Sequence, residues 1–454
     1  MFNQLHYIRQ YQAESKWYNR LLMGALIYAA LRFVMQIVLL LGLMTPSETL
    51  SATPSLPDDL RLYLEAIDHL QRHENLYPPI PLEHMELYQY PPAYALVLTP
   101  LVWFPPMVVA GVSTVVHVAI YVLLYLLWGR IFQRLKLESA NVMLAKTLPI
   151  WLVFGTFWSD LAYLNVYILM ALLGSLIIDA ILANKLGWAV LWFTIAIHTK
   201  PQWVLLGALP LLLGQPRFFI RLMALSLGLY AAIVGVTILL VGPPYGMEQY
   251  QAYFQLLASM GSGHFPWRGP EMPFLGYNHS ILQILIYLFG ESASTLTLAL
   301  AVKIMLLIPL GVIGLHCLRK PLKFTAQNGL DAAFALYLAA FIWLDIVWEL
   351  ALGIVIFTYL LATLKGRKTK FVVWLVFLPY ALVDMMQLIS YLALGEEVIT
   401  PESYVLTDIS IYLPVVMVTT VIFYLFVIRR LWPIAFGSSD VEATGYTSVF
   451  TQHT

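Results

Sequence analysis

The chain has 454 residues, of which 60% are hydrophobic and 11% are charged, and its formal net charge is zero. Soluble domains carry about 25% charged residues, so the composition excludes an ordinary soluble domain. Zero net charge gives no bulk attraction to nucleic acid, which is not an expected partner. Apolar runs of about 20 residues recur along the chain and predict an all-α, polytopic integral membrane protein.

The first apolar run, residues 21–44, follows a polar segment and is predicted to be a retained span, not a cleaved signal. Lys16 and Arg20 precede it, so the positive-inside rule places the N-terminus in the cytoplasm. Eleven further spans are predicted at residues 106–128, 146–158, 161–182, 186–198, 203–213, 222–241, 294–315, 330–345, 349–364, 371–392 and 409–427.

This topology is self-consistent, because the basic clusters fall on one side and most loop carboxylates on the other. It predicts one domain of about 12 transmembrane helices over residues 1–436, with both termini cytoplasmic. Residues 437–454 form a polar tail that is predicted to be disordered. Two large extracytoplasmic loops are expected at residues 45–92 and 242–279.

Two apolar stretches, residues 93–104 and 280–290, are too short for full spans. Segments of that length are more often interfacial or re-entrant. Both adjoin the outside loops, so both are expected to border a cavity at the outer mouth of the bundle.

In the first outside loop, apolar residues recur at three- and four-residue spacing between Leu60 and Leu70. This pattern predicts an amphipathic helix over residues 58–72, lying at the membrane surface as a juxtamembrane helix. Asp58 and Asp59 open the helix and allow two interpretations. They cap its N-terminus and complement the helix dipole, or one of them faces a cavity as a base. The sequence leaves both open.

Lys200 lies at the outer turn between two predicted spans, after His198. A lysine at that depth is costly unless it is paired or lines a polar cavity, so it is a candidate phosphate ligand. A lysine that snorkels to the headgroups is the alternative. Arg268, in the second outside loop, is another candidate for phosphate.

Carboxylates at Asp160, Asp345 and Glu349 are predicted to face the same compartment as Asp59. A metal between them is possible but not indicated. No glycine-rich phosphate loop occurs, and the sparse inner loops hold mostly Lys and Arg. A transferase of this composition would therefore take its activated donor from the membrane.

The order of several short motifs resembles family 87 of the glycosyltransferases, polytopic enzymes of the GT-C fold that use polyprenyl-phosphate sugars. The resemblance covers roughly residues 20–365. The motifs are Asp59-Leu60-Arg61-Leu62-Tyr63, Leu76-Tyr77, Tyr90-Pro91-Pro92 followed by Pro100, Asn165, Lys200-Pro201 and Asn278-His279-Ser280.

The resemblance implies an inverting transferase in which Asp59, or Asp58 as the fallback, is the general base. Lys200, together with Arg268, would bind the donor phosphate. The expected substrate-binding residues are Tyr63, Tyr90, Asn165, His198, Asn278, His279 and Glu349. The chain lacks the usual Gly-Gln before Asn165, and it lacks the His that family members often carry late in the chain, where Trp348-Glu349 stands.

The expected reaction moves a sugar from a polyprenyl-phosphate donor to a hydroxyl of a glycolipid or glycan acceptor. It would take place on the extracytoplasmic side of a plasma membrane, most simply a bacterial one, without a metal or cofactor and in contact with membrane lipids. The alternatives are a transporter or flippase that uses Lys200, Asp160 and Asp345 as a pathway, and a non-catalytic assembly subunit.

Overall fold

The computed structural model describes residues 2–40, 56–78, 87–260, 278–320, 322, 325–394 and 414–437. In these ranges the chain is helical, without strands. The helices are α1 (Phe2–Glu14), α2 (Lys16–Leu40), α3 (Asp58–Arg72), α4 (Pro92–Leu98), α5 (Pro106–Arg134), α6 (Glu138–Lys146), α7 (Leu148–Val153), α8 (Gly155–Tyr163), α9 (Tyr167–Leu182), α10 (Leu186–Thr199), α11 (Leu209–Leu212), α12 (Pro216–Val241), α13 (Pro243–Ser259), α14 (Ile281–Phe289), α15 (Ala293–Arg319), α16 (Ala326–Trp343), α17 (Gly353–Thr363), α18 (Arg367–Ala381), α19 (Val383–Leu394) and α20 (Val415–Phe436), with 3₁₀ helices at Thr99–Trp103 and Pro201–Ala208.

Five of the described helices, α2, α5, α12, α15 and α20, are long and apolar enough to cross a membrane. The segment from α6 to α8 meets the same criterion with a bend of 51° at its break, and several shorter apolar helices of 10–17 residues accompany them. An all-α polytopic membrane protein is thus confirmed. The count of about twelve spans and the single domain over residues 1–436 stay predictions.

Several predicted spans differ from the observed helices, and two of them coincide with helix breaks next to prolines. Residues 371–392 form two helices, α18 and α19, which are separated at Leu382. Pro379 lies inside α18 and supplies no backbone N–H, which weakens the helix there. The predicted span at residues 146–158 begins at the break between α6 and α7, where Pro149 stands in the first turn of α7.

The centre of the bundle is formed by α16 and α17, which are apolar around their whole circumference and almost entirely buried. A helix that is hydrophobic on every side belongs inside a core. Frequent alanines in α16 let neighbouring helices approach closely. Buried Asp331 of α16 pairs with Arg430 of α20 and accepts a hydrogen bond from Tyr359, which ties these helices together.

The amphipathic helix predicted for residues 58–72 is confirmed as α3. Its apolar side, including Leu60, Tyr63 and Ile67, is buried against the bundle. Its exposed side carries ion pairs four residues apart, among them Arg72 with Asp68 at 3.0 Å. The helix therefore packs against the bundle, and its first turn contacts Asn165.

Gly174 on α9 is required for the packing of Trp203. A Cβ atom at residue 174 would lie 2.0 Å from the Cζ3 atom of Trp203, whose indole is buried. Gly174→Ala therefore forces the indole to move, and overpacking of this kind costs about 1–3 kcal/mol. We expect a lower thermal unfolding midpoint, measured by intrinsic fluorescence in nanodiscs.

The matched control is Gly187→Ala on α10, where a Cβ atom meets open space. That change should leave the midpoint unchanged or raise it slightly, because alanine is the better helix former. Equal midpoints for the two variants would contradict the packing role of Gly174.

Candidate active site

The two carboxylates in the first turn of α3 point in different directions. Asp59 is half-buried, and its Oδ2 accepts a hydrogen bond of 2.8 Å from Nδ2 of Asn165. Asp58 is exposed, and its Oδ1 lies 3.5 Å from a guanidinium nitrogen of Arg61. Neither side chain caps the helix, whose N-cap is Pro57 without a side-chain hydrogen bond. Neither aspartate therefore holds the N-cap position, although both lie in the first turn, where their charges complement the helix dipole.

Asn165 is placed by a tight turn between α8 and α9. Leu164 adopts a left-handed conformation there, with φ of 54°. Asp160 then accepts hydrogen bonds from the backbone N–H groups of Tyr167 and Ile168, at 2.8 and 3.1 Å, and so caps α9 from outside that helix. This turn directs the side chain of Asn165 towards α3.

The amide of Asn165 has a defined orientation. Its Oδ1 accepts hydrogen bonds from the backbone N–H of Val166 at 2.6 Å and from the Tyr90 hydroxyl at 3.4 Å. The amide NH₂ must therefore face Asp59. Tyr63 donates to the Tyr90 hydroxyl at 3.2 Å, which extends the chain of hydrogen bonds back to α3.

Lys200 ends α10 immediately before the 3₁₀ helix Pro201–Ala208. Its ammonium lies 4.4 Å from the ring centroid of Tyr167 and 5.5 Å from that of Tyr90, within cation–π range. Its charge also acts on the carboxylates of Asp59 and Asp160. The side chain thus points into the bundle mouth and does not snorkel.

Two adjoining cavities meet at Lys200, Tyr167 and Trp348, which line both of them. The first has an empty volume of about 290 Å³ and is lined by Asp59, Leu62, Tyr63, Leu87, Tyr88, Gln89, Tyr90, Asn165, Tyr167, Lys200 and Trp348. The second has about 360 Å³ and is lined by Tyr167, Lys200, Gln202, Trp203, Tyr337, Phe341, Leu344, Ile346, Val347, Trp348, Glu349 and Ala351.

Burial shifts the titration of these groups. It raises the pKa of Asp59 to about 7, although the charge of Lys200 and the hydrogen bond from Asn165 act in the opposite direction. It lowers the pKa of Lys200 to about 8, against the attraction of Asp59 and Asp160. It also raises the pKa of Glu349 to about 7. Asp59 is therefore a carboxylate poised for proton transfer near neutral pH.

Of the other predicted site residues, Asn278 and His279 lie beside the cavities, without lining them. Asn278 Nδ2 donates to the carbonyl of Asp345 at 2.9 Å, and its Oδ1 accepts from the N–H of Val347 at 3.1 Å. The N–H of His279 donates to the carbonyl of Val347 at 2.6 Å. These contacts fasten the segment that carries Trp348 and Glu349.

His198 also lies away from both cavities. Its ring stacks 4.0 Å from that of Tyr230, and its Nδ1 is 3.1 Å from the carbonyl of Thr194. Arg268 and the tail after residue 437 lie outside the described residues. The substrate-binding roles of all these residues stay predictions.

Sequence reasoning missed Tyr167, the aromatic face under the Lys200 ammonium. Its position two residues after Asn165, at the start of a span, was the available signal.

Glu349 was predicted to begin a span, whereas α17 begins at Gly353. The backbone before α17 is irregular, and tyrosine hydroxyls accept two of its N–H groups: Tyr380 from Leu350 at 2.8 Å and Tyr337 from Leu352 at 3.2 Å.

No three His, Cys, Asp or Glu side chains converge as a metal site within the part of the chain that the structure describes. The expectation that neither metal nor cofactor is needed stays a prediction.

The model of glycosyltransferase family 87 matches residues 88–344, more than half of the 454 residues. The chain belongs to glycosyltransferase family 87. Membership indicates a membrane glycosyltransferase, in agreement with the membrane-crossing helices. A search of curated proteins found no match. The matched range includes Tyr90, Asn165 and Lys200, but it excludes Asp59 and Glu349.

Asp160 in this family 87 protein is expected to be structural, because it caps α9. Asp160→Ala leaves the partly buried N–H of Tyr167 and the buried N–H of Ile168 without this acceptor, at a cost of about 1–3 kcal/mol. A markedly lower thermal unfolding midpoint should result. The control is Asp179→Ala on the same helix, which removes a partly exposed ion pair with Arg134, worth about 0–1 kcal/mol. Equal effects of both changes would contradict the capping role.

Proposed function

We propose that this protein is an inverting transferase that moves a sugar from a polyprenyl-phosphate donor to an acceptor hydroxyl, with Asp59 as the general base. The observation that carries the proposal is the carboxylate of Asp59, oriented by Asn165, in the same cavity as the ammonium of Lys200. A glycosyl transfer from a lipid phosphate needs a base for the acceptor hydroxyl and a cation for the leaving phosphate, and both groups line one cavity here.

In the proposed step, Asp59 accepts the proton of the acceptor hydroxyl as its oxygen attacks the anomeric carbon. The bond between that carbon and the phosphate oxygen breaks, and the phosphate leaves with the electron pair. Lys200 stabilises the negative charge that develops on the leaving oxygen. A single displacement of this kind inverts the anomeric configuration. Lys200 supplies the charge stabilisation, so the step requires no metal or cofactor.

The positive-inside topology supports an extracytoplasmic site, because it puts α3 and the Lys200 turn outside and both termini in the cytoplasm. A donor embedded in the membrane reaches such a site without a cytosolic nucleotide. The acceptor would be a hydroxyl of a glycolipid or glycan, and the setting a bacterial plasma membrane.

A transporter pathway through Asp160 and Asp345 gains no support from their surroundings. Asp160 is engaged by backbone N–H groups, and Asp345 forms an ion pair with Lys303. Neither residue lines the cavities that meet at Lys200. The transferase is therefore the function that we favour.

Asp59→Asn should lower the transfer rate by roughly 10²–10⁴-fold, the usual worth of a general base. Asp58→Asn is the matched control and should keep nearly full activity, because Asp58 faces outward. The measurement is product formation by purified protein in nanodiscs with a panel of polyprenyl-phosphate hexoses and pentoses. Loss of activity in the Asp58 variant alone would move the base to Asp58, and full activity in both would refute the mechanism.

The pH dependence of kcat/KM should be bell-shaped. Activity rises with pH as Asp59 loses its proton near its pKa of about 7, and falls again as Lys200 loses its charge near its pKa of about 8. Glu349 titrates in the same range, so Glu349→Gln serves to exclude it as the source of the acidic limb. The limb should persist in that variant, because it comes from Asp59. A profile without an acidic limb in wild type would contradict the role of Asp59.

A further inference from the structure

Glu349 is a second carboxylate at the site, and the proposed step does not use it. It lies in the irregular segment between α16 and α17 and lines the second cavity. That cavity shares Lys200, Tyr167 and Trp348 with the cavity of Asp59. A group bound at Lys200 can therefore extend towards either carboxylate.

The carboxylate of Glu349 is held in one orientation. Its Oε2 accepts hydrogen bonds of 2.8 Å from the hydroxyls of Thr156 and Tyr380. A hydroxyl of Ser159 also bonds to the carboxylate. Tyr380 is fixed in turn, because its oxygen accepts the N–H of Leu350 at 2.8 Å. A side chain with this support is built into the site.

The carboxylate keeps capacity for a ligand. An ionised carboxylate offers about four lone-pair directions, and the three hydroxyls of Thr156, Ser159 and Tyr380 use three of them. The rest of the second cavity is largely apolar and includes the aromatic rings of Trp203, Tyr337, Phe341 and Trp348. An apolar pocket with a few fixed polar groups orients its ligand through those groups.

A sugar fits this combination better than a prenyl chain does. The C–H face of a sugar ring packs on aromatic side chains, while its hydroxyls donate to a carboxylate. A hydrocarbon chain would leave Glu349 facing an apolar ligand, which is costly for a polar group. An ionised carboxylate would also repel the phosphate, which has Lys200 as its partner.

We propose that Glu349 is a specificity-determining residue that accepts a hydrogen bond from one hydroxyl of the transferred sugar while Lys200 binds the donor phosphate. The inference rests on the proposed function, and it assigns to Glu349 the choice between donor sugars that differ at that hydroxyl. A site that hydrogen-bonds a substrate hydroxyl discriminates strongly against an analogue that lacks it, because its own polar group is then left unpaired.

The test uses the full-length protein in nanodiscs and the donor that wild type uses best in the panel above. Single-deoxy analogues of that sugar, on the same polyprenyl phosphate, are compared with it by kcat/KM. In wild type, one deoxy analogue should be about 10–100 times poorer than the parent donor. In Glu349→Met, which has no oxygen to accept the sugar hydroxyl, kcat/KM for the parent donor should fall by a similar factor, and the same deoxy analogue should be used about as well as the parent.

A merely structural role for Glu349 predicts a different pattern. Glu349→Met would then lower kcat/KM by the same factor for the parent and for every analogue, and that result overturns the inference. Glu349→Asp, which keeps the charge but withdraws it by one methylene, serves if the Met variant fails to fold. It should also reduce the discrimination between parent and analogue. Thermal unfolding and gel filtration establish folding, with Asp179→Asn as a surface control.

The assay separates failure of the inference from failure of the proposed function. Transfer by wild type but not by Asp59→Asn, together with undiminished discrimination in both Glu349 variants, overturns the inference alone. No transfer by wild type from any donor in the panel overturns the proposed function and, with it, the inference.

Discussion

Backbone hydrogen bonding without water is the constraint on which this structure depends. In lipid, each N–H and C=O group needs a partner within the protein, and non-helical backbone is tolerated only where it is buried in protein or lines a cavity. The described chain is accordingly helical, and its irregular segments at the bundle mouth are satisfied by side chains. Asp160 accepts from the start of α9, and Asn278, Tyr337 and Tyr380 accept from the segment before α17. These same segments carry Asn165 and Glu349, so the site lies where the helices stop.

The second determinant is the balance of charge in a poorly hydrated site. Asp59 and Asp160 act on the charge of Lys200, Glu349 lines the second cavity beside it, and His117 lies 3.8 Å from Asp160. Burial penalises each charged form, and opposite charges partly offset the penalty. The result is a carboxylate that titrates near neutrality next to an ammonium that stays charged below a pH of about 8. The chemistry proposed for Asp59 thus follows from its surroundings, since a solvated aspartate would be too weak a base.

Individual elements show which features of the structure can be predicted from the sequence. The spacing of apolar residues predicted the limits of α3, and the position of a lysine at a turn between predicted spans identified Lys200 as a candidate. Short motifs indicated the family that the match over residues 88–344 establishes. The division of residues 371–392 into two helices was missed, because hydropathy averages over a break. Tyr167 and Tyr380 were missed for a similar reason: an aromatic residue in an apolar run carries no signal of its partner.

The sequence by itself determined the membrane class, the helical architecture, the family and the amphipathic helix that opens with Asp58 and Asp59. These properties depend on composition and on local periodicity, which act over a few helical turns. Only the tertiary structure turned Asp59, and not Asp58, towards the cavity, placed Asn165 against Asp59, and put Glu349 in a cavity next to Lys200. Those relations join residues about a hundred or more positions apart, and the energies that set them, burial and pairing of charge, arise only when the helices pack.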